Sequence, residues 1–313
     1  MAKVLCITLN PAIDMSLELE QIQLGAVNRQ QHAQSHAAGK GLNVAQVLKD
    51  LGHDVYVSGF LGRDNYQIFE QHFAREQFDS HFILVDGETR HNIKLIESAG
   101  RVTDINGKGF VVTERQKQSL FEQCLALAPQ MDCIVIAGSL PQNFTLEDFK
   151  SLVEQLTAVN SRIALDTSGQ ALAIAMQLNP WLIKPNTDEL SETFQQSLDT
   201  IEQQMQFLAD YHIEHAVISM GEQGVNWLTP ERVYQAKPAQ VQVKSTVGAG
   251  DTLLAGMIHG LMSHVDDVQI LSTATALATY SVTQVGFHIP STAHLQRLIE
   301  QTQVQKIDLG VRI

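Results

Sequence analysis

The sequence predicts an α/β fold: a mostly parallel central sheet with helices on both faces, plus a small antiparallel β lid. Three observations carry this. From residue 114 onward, short apolar runs alternate with amphipathic stretches, the pattern of repeated right-handed βαβ units. The apolar runs are continuous rather than alternating, as in strands buried on both faces. Two pairs of half-polar segments interrupt the first third of the chain and fit no doubly covered sheet.

The run 4–9 reads as the first buried strand and stops at Asn10-Pro11-Ala12-Ile13-Asp14. Just past the end of a parallel strand is where such sheets place ligand contacts, so Asp14 is a candidate contact, or a plain turn aspartate. Met15, Leu17 and Leu19 then alternate with Ser16, Glu18 and Glu20, a half-exposed strand. Gly25 turns the chain, and 27–36 returns as a second extended, polar stretch. A similar pair lies at 91–97 and 102–105, joined at Ser98-Ala99-Gly100. These four segments predict the lid, spanning about 13–36 and 89–107.

Between the pairs, Ala38-Gly39-Lys40-Gly41-Leu42-Asn43 turns into a helix marked by Leu42, Ala45, Leu48 and Leu51. It is not a P-loop, because Gly rather than Ser or Thr follows Lys40 and the upstream Gly is missing. A flexible turn with a solvated lysine is the plain reading; Asn43, facing back toward the turn, is a candidate for ligand hydroxyls. Residues 55–64 read as strand, turn and helix entry, 65–77 as a helix and 81–85 as a strand. Thr89-Arg90-His91-Asn92-Ile93-Lys94 sets two cations beside an amide on the second lid segment of an otherwise acidic chain.

Helices at 114–128 and 145–159 and strands at 133–137, 163–165, 181–183 and 216–218 follow. The strands end in Gly138-Ser139, Asp166-Thr167-Ser168, Lys184-Pro185-Asn186 and Ser219-Met220-Gly221-Glu222-Gln223-Gly224, so one sheet edge collects polar and glycine turns. Asn186 and Glu189 lie one helical turn apart; they fit a capping box and equally a pair of hard oxygen ligands. No linker or repeat divides the run, so 1–313 reads as one domain with a lid.

The most informative stretch is Ser245-Thr246-Val247-Gly248-Ala249-Gly250-Asp251. Small residues run straight into a helical apolar pattern (Leu253, Leu254, Met257, Ile258, Leu261). That is a tight loop at a helix N-terminus, where free N–H groups and the dipole favour a large anion. Asp251 is then either a helix cap or a carboxylate that takes a proton from an attacking hydroxyl in phosphoryl transfer. Residues 268–282, rich in Ala, Ser and Thr, predict a helix packed closely on the sheet or on this helix.

Composition narrows the partners. A net charge of -13 argues against nucleic acid, which needs clustered Lys and Arg, and requires any anionic ligand to find its cations locally. Cys6, Cys124 and Cys133 show no metal spacing and read as buried thiols of a reducing compartment. The apolar N-terminal run is too short for a signal peptide and no run reaches membrane length, so a cytoplasmic protein without a membrane partner is expected. The pairs His32/His36, His212/His215 and His259/His264 read as surface or core histidines.

Residues 246–251 resemble the C-terminal signature of the ribokinase-like (PfkB) carbohydrate kinases. Residues 38–43 resemble the family's N-terminal signature, with Ala38 replacing the first glycine, and Asn186-x-x-Glu189 resembles its metal motif. The motifs keep the family's order across essentially the whole chain. The resemblance implies a ribokinase-like fold in which Gly248, Ala249 and Gly250 bind the γ-phosphate of ATP and Asp251 is the catalytic base. It implies Mg²⁺ at Asn186 and Glu189, and ATP contacts at Lys184, Asn186, Ser219, Gly221, Gly224 and Thr246. It sets a sugar phosphate near Asp14, Gly39, Lys40, Asn43, Arg90, Asn92, Lys94 and Ser139, with Arg29 a further cation. Val243-Lys244-Ser245 stands where ribokinase has an Asp-Thr pair tied to a monovalent cation, which leaves K⁺ open, with Ser281 and Gly286 as carbonyl candidates. Family members commonly pair their lids, implying a homodimer through the β lid. The motifs at 8–14, 38–43, 89–94 and 103–106 look most like the branch that phosphorylates fructose 1-phosphate on its 6-hydroxyl. Branches acting on tagatose 6-phosphate and fructose 6-phosphate share the first of these. A non-catalytic sugar-phosphate sensor is the alternative of another class; the intact Asp251 and glycine loop argue against it.

Overall fold

In the computed structural model, which describes residues 1–263, 265–284 and 286–308, β1 (Lys3–Thr8) lies within a ten-stranded sheet. It pairs in parallel with β4 (Asp54–Gly62) on one side and β8 (Cys133–Ala137) on the other. β5 (Asp79–Val85) extends the first side; β9 (Ile163–Asp166), β10 (Leu182–Ile183) and β11 (His215–Ser219) extend the second, all parallel. Three antiparallel strands, β12 (Val225–Leu228), β13 (Val233–Lys237) and β14 (Gln303–Ile307), finish that edge. Strand order reverses at β1, and the crevice beyond such a point is where open α/β sheets bind ligands.

Both faces of the sheet are covered, which explains the continuous apolar runs. Val4 and Cys6 join one core while Leu5, Ile7 and Leu9 join the other. The first core is closed by α1 (Lys40–Asp50), α2 (Gln67–Glu76), α8 (Ala249–Leu261) and α9 (Asp267–Ser281). The second is closed by α3 (Glu114–Leu127), α4 (Leu146–Thr157), α5 (Gly169–Gln177), α6 (Thr187–Phe194) and α7 (Ile201–Leu208). The Ala-, Ser- and Thr-rich α9 packs on α8 closely enough that a Cβ on Gly256 would come within 2.7 Å of Ala274 Cα. α10 (Thr292–Gln301) leads into β14.

A second sheet stands apart, in the order β3 (His32–Ala38), β2 (Ala12–Leu19), β6 (Arg90–Glu97), β7 (Val102–Asn106). This is the expected lid, and its two outer pairs are antiparallel. The central pair departs from the expectation: β2 and β6 run parallel, from Ala12 opposite Arg90 to Leu19 opposite Glu97. The cause lies in the main sheet. β2 follows β1 and β6 follows β5, and those two strands point the same way, so both lid hairpins rise in one direction. The register sets Asp14 beside Asn92 and Ser16 beside Lys94 on one face, with Met15, Leu17, Ile93 and Leu95 on the other.

Candidate active site

The glycine turn reaches α8 through Gly248, whose φ of 81° lies in the left-handed region. A Cβ there would also overlap the ring of Phe287, so conformation and contact both demand glycine. No side chain caps α8, and Ala249 N makes only a long 3.4 Å bond to the Thr246 carbonyl, so the helix start is open to a ligand. Asp251 sits inside the first turn, so the capping reading fails. Its carboxylate instead accepts a 2.7 Å hydrogen bond from Asn43 Nδ2, joining the starts of α8 and α1. Burial pushes Asp251 up to about 6; Asp166 adds to this, while Lys40, Asn43 and Lys184 oppose it. That range suits a general base at neutral pH.

α1 begins hard against the end of β1, since Gly39 has a φ of 148° and a Cβ there would approach Thr8 Cγ2 to 2.8 Å. The Lys40 ammonium that follows lies 3.3 Å from Asp166 Oδ1 and 3.8 Å from Glu189 Oε1. Its burial works against the charge, but Asp166, Asp251 and Glu189 outweigh it and raise the pKa. Lys184 Nζ lies 3.6 Å from the same Asp166 oxygen, with a side chain only 4% exposed. Asn186 and Glu189 form the expected capping box: Asn186 Oδ1 accepts from Glu189 N at 2.7 Å and Glu189 Oε2 accepts from Asn186 N at 2.9 Å. This leaves Glu189 Oε1 in reach of Lys40 and the adjoining cavity. Among the described residues no group of three or more His, Cys, Asp or Glu forms a metal shell. One carboxylate oxygen and an amide do fit a hard ion held mainly by water and phosphates.

These side chains surround two adjoining cavities. The larger, of about 880 Å³, is lined by Ser219, Gly221, Gly224, Thr246 and Ala249 and by apolar Ala239, Val241, Val243 and Ala278. The smaller, of about 340 Å³, is lined by Asp14, Gly39, Lys40, Asn43, Arg90, Asn92, Lys184, Glu189, Gly248 and Asp251. Asn186, Ser219 and Gly250 belong to both walls. Two ligands could therefore meet at the glycine loop, with Asp251 on the smaller side.

Other candidates have different surroundings. Arg90 donates to three backbone carbonyls, of Pro11 at 3.3 Å, Gly107 at 3.0 Å and Asn10 at 3.1 Å, and so ties the roots of the lid together. Lys94 lies 3.7 Å from Asp104, and Ser139 accepts from Asn10 Nδ2 at 3.2 Å; neither lines the smaller cavity. Arg29 is exposed on the loop between β2 and β3. Near the glycine turn, the carbonyl of Val282 accepts from Lys244 N and Ser245 N at 2.7 and 3.2 Å. His259 Nδ1 meets His53 Nε2 at 2.9 Å, while His264 falls outside the described residues. Asp166 is visible in the sequence only as one of the polar strand ends on this edge; its place beside Lys40 and Lys184 emerges from the fold. Nor does the sequence show that Arg90 serves the backbone.

A doubly wound sheet with a lid, and a glycine loop between two cavities, are features of the pfkB family of carbohydrate kinases. The chain belongs to that family, whose model matches residues 1–293. It is 42% identical to the 1-phosphofructokinase of Vibrio cholerae, over 97% of each chain. It is 38% identical to the 1-phosphofructokinase of Haemophilus influenzae, over 98% of this chain and 100% of that one. Phosphofructokinase-2 of Escherichia coli, solved in complex with potassium, shares the fold, with a TM-score of 0.87 and 24% identity over 96% of this chain and 99% of that one.

Proposed function

We infer that this chain transfers the γ-phosphoryl group of ATP to the 6-hydroxyl of fructose 1-phosphate, giving fructose 1,6-bisphosphate and ADP. The observation that carries the reading is the glycine loop shared by the two cavities, with a buried carboxylate on one side of it. The 1-phosphofructokinase relatives support the choice of sugar. In this reading ATP occupies the larger cavity, its γ-phosphate against the amides of Gly248, Ala249 and Gly250. The sugar phosphate occupies the smaller one, under the polar face of the lid. Asp14, Gly39, Asn43 and Asn92 orient its hydroxyls, and the Lys40 ammonium and the remaining N–H groups of Arg90 face its phosphate. Asp251 accepts the proton of the attacking hydroxyl, and the lid keeps water from competing. Asn186 and Glu189 would hold Mg²⁺ through water, and that ion would screen the phosphate charge.

The remaining assignments rest on the same reading. One domain, 1–313, carries both substrates. The apolar lid row of Met15, Leu17, Ile93 and Leu95 supports a homodimer through paired lids, since a four-stranded sheet buries one face poorly alone. A monomer mass by light scattering at micromolar concentration would overturn that. Three free buried thiols suit the cytoplasm, and among the described residues no helix is long and apolar enough to cross a membrane. Whether K⁺ activates is read by exchanging K⁺ for Na⁺ in the assay.

A coupled ADP-release assay over a panel of sugar phosphates tests the whole. Fructose 1-phosphate should give the highest kcat/KM. A preference for fructose 6-phosphate or tagatose 6-phosphate would overturn the sugar, and binding without turnover would favour a sensor.

A further inference from the structure

We propose that Asp166 is a positioning residue for phosphoryl transfer, holding the ammonium groups of Lys40 and Lys184 where the two cavities meet. This deepens the kinase reading above and rests on it. Lys40 opens α1 and Lys184 follows the end of β10, far apart in sequence. Both Nζ atoms nonetheless close on one atom, Asp166 Oδ1, at 3.3 and 3.6 Å. The carboxylate is fully buried at the end of β9, and its other oxygen, Oδ2, has no hydrogen-bond partner among the described residues. A carboxylate retained only to satisfy the interior would have both oxygens paired. Here one oxygen gathers two cations and the other gathers none.

Asp166 holds the two ammoniums together while Glu189 and Asp251 also balance Lys40, so what a phosphate meets is two positioned cations rather than an excess of positive charge. Lys184 reaches the glycine loop: a Cβ on Gly250 would lie 3.0 Å from its Nζ. Lys40 reaches the other way, toward Glu189. Both lysines line the smaller cavity, and Asp166 lines neither cavity. Asp166 therefore acts through the lysines rather than on the substrate. Displacing such a clamp by about 1 Å is enough to slow a well-aligned transfer by about 100-fold.

The test is a double-mutant cycle of Asp166→Asn and Lys40→Met, with kcat and both KM values measured by ADP release. Asp166→Asn should lose about 10- to 100-fold in kcat, more than either KM rises. Lys40→Met should lose as much in kcat while also raising the sugar KM, since its ammonium faces the sugar phosphate. The double variant should lose no more than about twofold beyond the worse single, because either change breaks the same arrangement. Losses that multiply overturn the proposal. Should Asp166→Asn not fold, Asp166→Glu carries the test: it keeps the counter-charge but moves the oxygen by one methylene. A cooperatively melting Asp166→Glu with kcat lowered at least about tenfold supports positioning; wild-type kcat there means charge compensation alone and overturns it. An Asp251→Asn control keeps the two readings apart. Activity retained in that control sinks the base assignment, whereas multiplying losses in the cycle sink only the role of Asp166.

Discussion

Asp251→Asn should make the protein a poor enzyme and a more stable one. The substitution preserves shape and an oxygen that can accept from Asn43, but removes the proton acceptor and the buried charge. Loss of the base predicts a fall in kcat of about 10²–10⁴ with ATP binding nearly intact. The stability effect follows from the carboxyl's pKa, raised from 3.8 to about 6, chiefly by burial. A carboxyl whose folded pKa is raised is penalised above that pKa and carries no penalty below its unfolded value. Two pKa units correspond to about 3 kcal/mol, so the variant should gain up to about that much at pH 8 and nothing near pH 3.5. Paired thermal melts at the two pH values, beside initial rates at pH 8, give both readouts. The same pKa predicts that wild-type kcat/KM falls below about pH 6. A variant within a few-fold of wild-type activity would refute the base assignment. An unchanged or lower melting point at pH 8 would refute the argument that this charge is buried at a cost.

Gly248→Ala should reduce both activity and stability, because an alanine there meets a left-handed φ and the Phe287 ring. Adding Phe287→Ala removes the clash and leaves the φ penalty of about 1 kcal/mol or more; complete recovery would show that only space was at stake. Neutral His53 accepts from Ala2 N through Nδ1 at 3.2 Å, and burial, with His259 and the N-terminus, lowers its pKa to about 4. Its folded pKa lies below its unfolded one, so its contribution is complete above pH 6.5 and declines as the pH falls to about 4. Wild type should therefore lose about 3 kcal/mol more than His53→Asn between pH 7 and 4 in denaturant melts; parallel curves would refute this. Arg90→Ala should raise the sugar KM and lower the melting temperature together, and Arg90→Lys should rescue neither, since a lysine cannot span three carbonyls. Full rescue by lysine would reduce Arg90 to a point charge.

What could be read from the chain was what local chemistry dictates. Continuous apolar runs mark strands covered on both faces, and the small residues at 248–250 mark a helix N-terminus open to an anion, so sheet, lid segments and signature helix were all legible. The direction of the central lid pair was not, because it is inherited from the exits of β1 and β5, and period-two alternation is the same in either direction. The larger gap concerns charge. In a chain of net charge -13 each cation near the cleft matters, and sequence alone cannot say which are committed to protein and which are left for a ligand. Arg90 looked like a phosphate contact by position, yet most of its reach goes to the carbonyls of Asn10, Pro11 and Gly107. Lys184 is an ATP contact only by resemblance in the sequence, and nothing there shows that its ammonium lies buried against Asp166 beside the glycine loop. Arg90 keeps its full charge against neutral carbonyls but has most of its N–H donors committed, whereas the Lys40 and Lys184 ammoniums are gathered by Asp166 on the wall of the smaller cavity. The placement of those two ammoniums therefore comes from the partnership that Asp166 makes, and that partnership exists only once β9, β10 and α1 have come together.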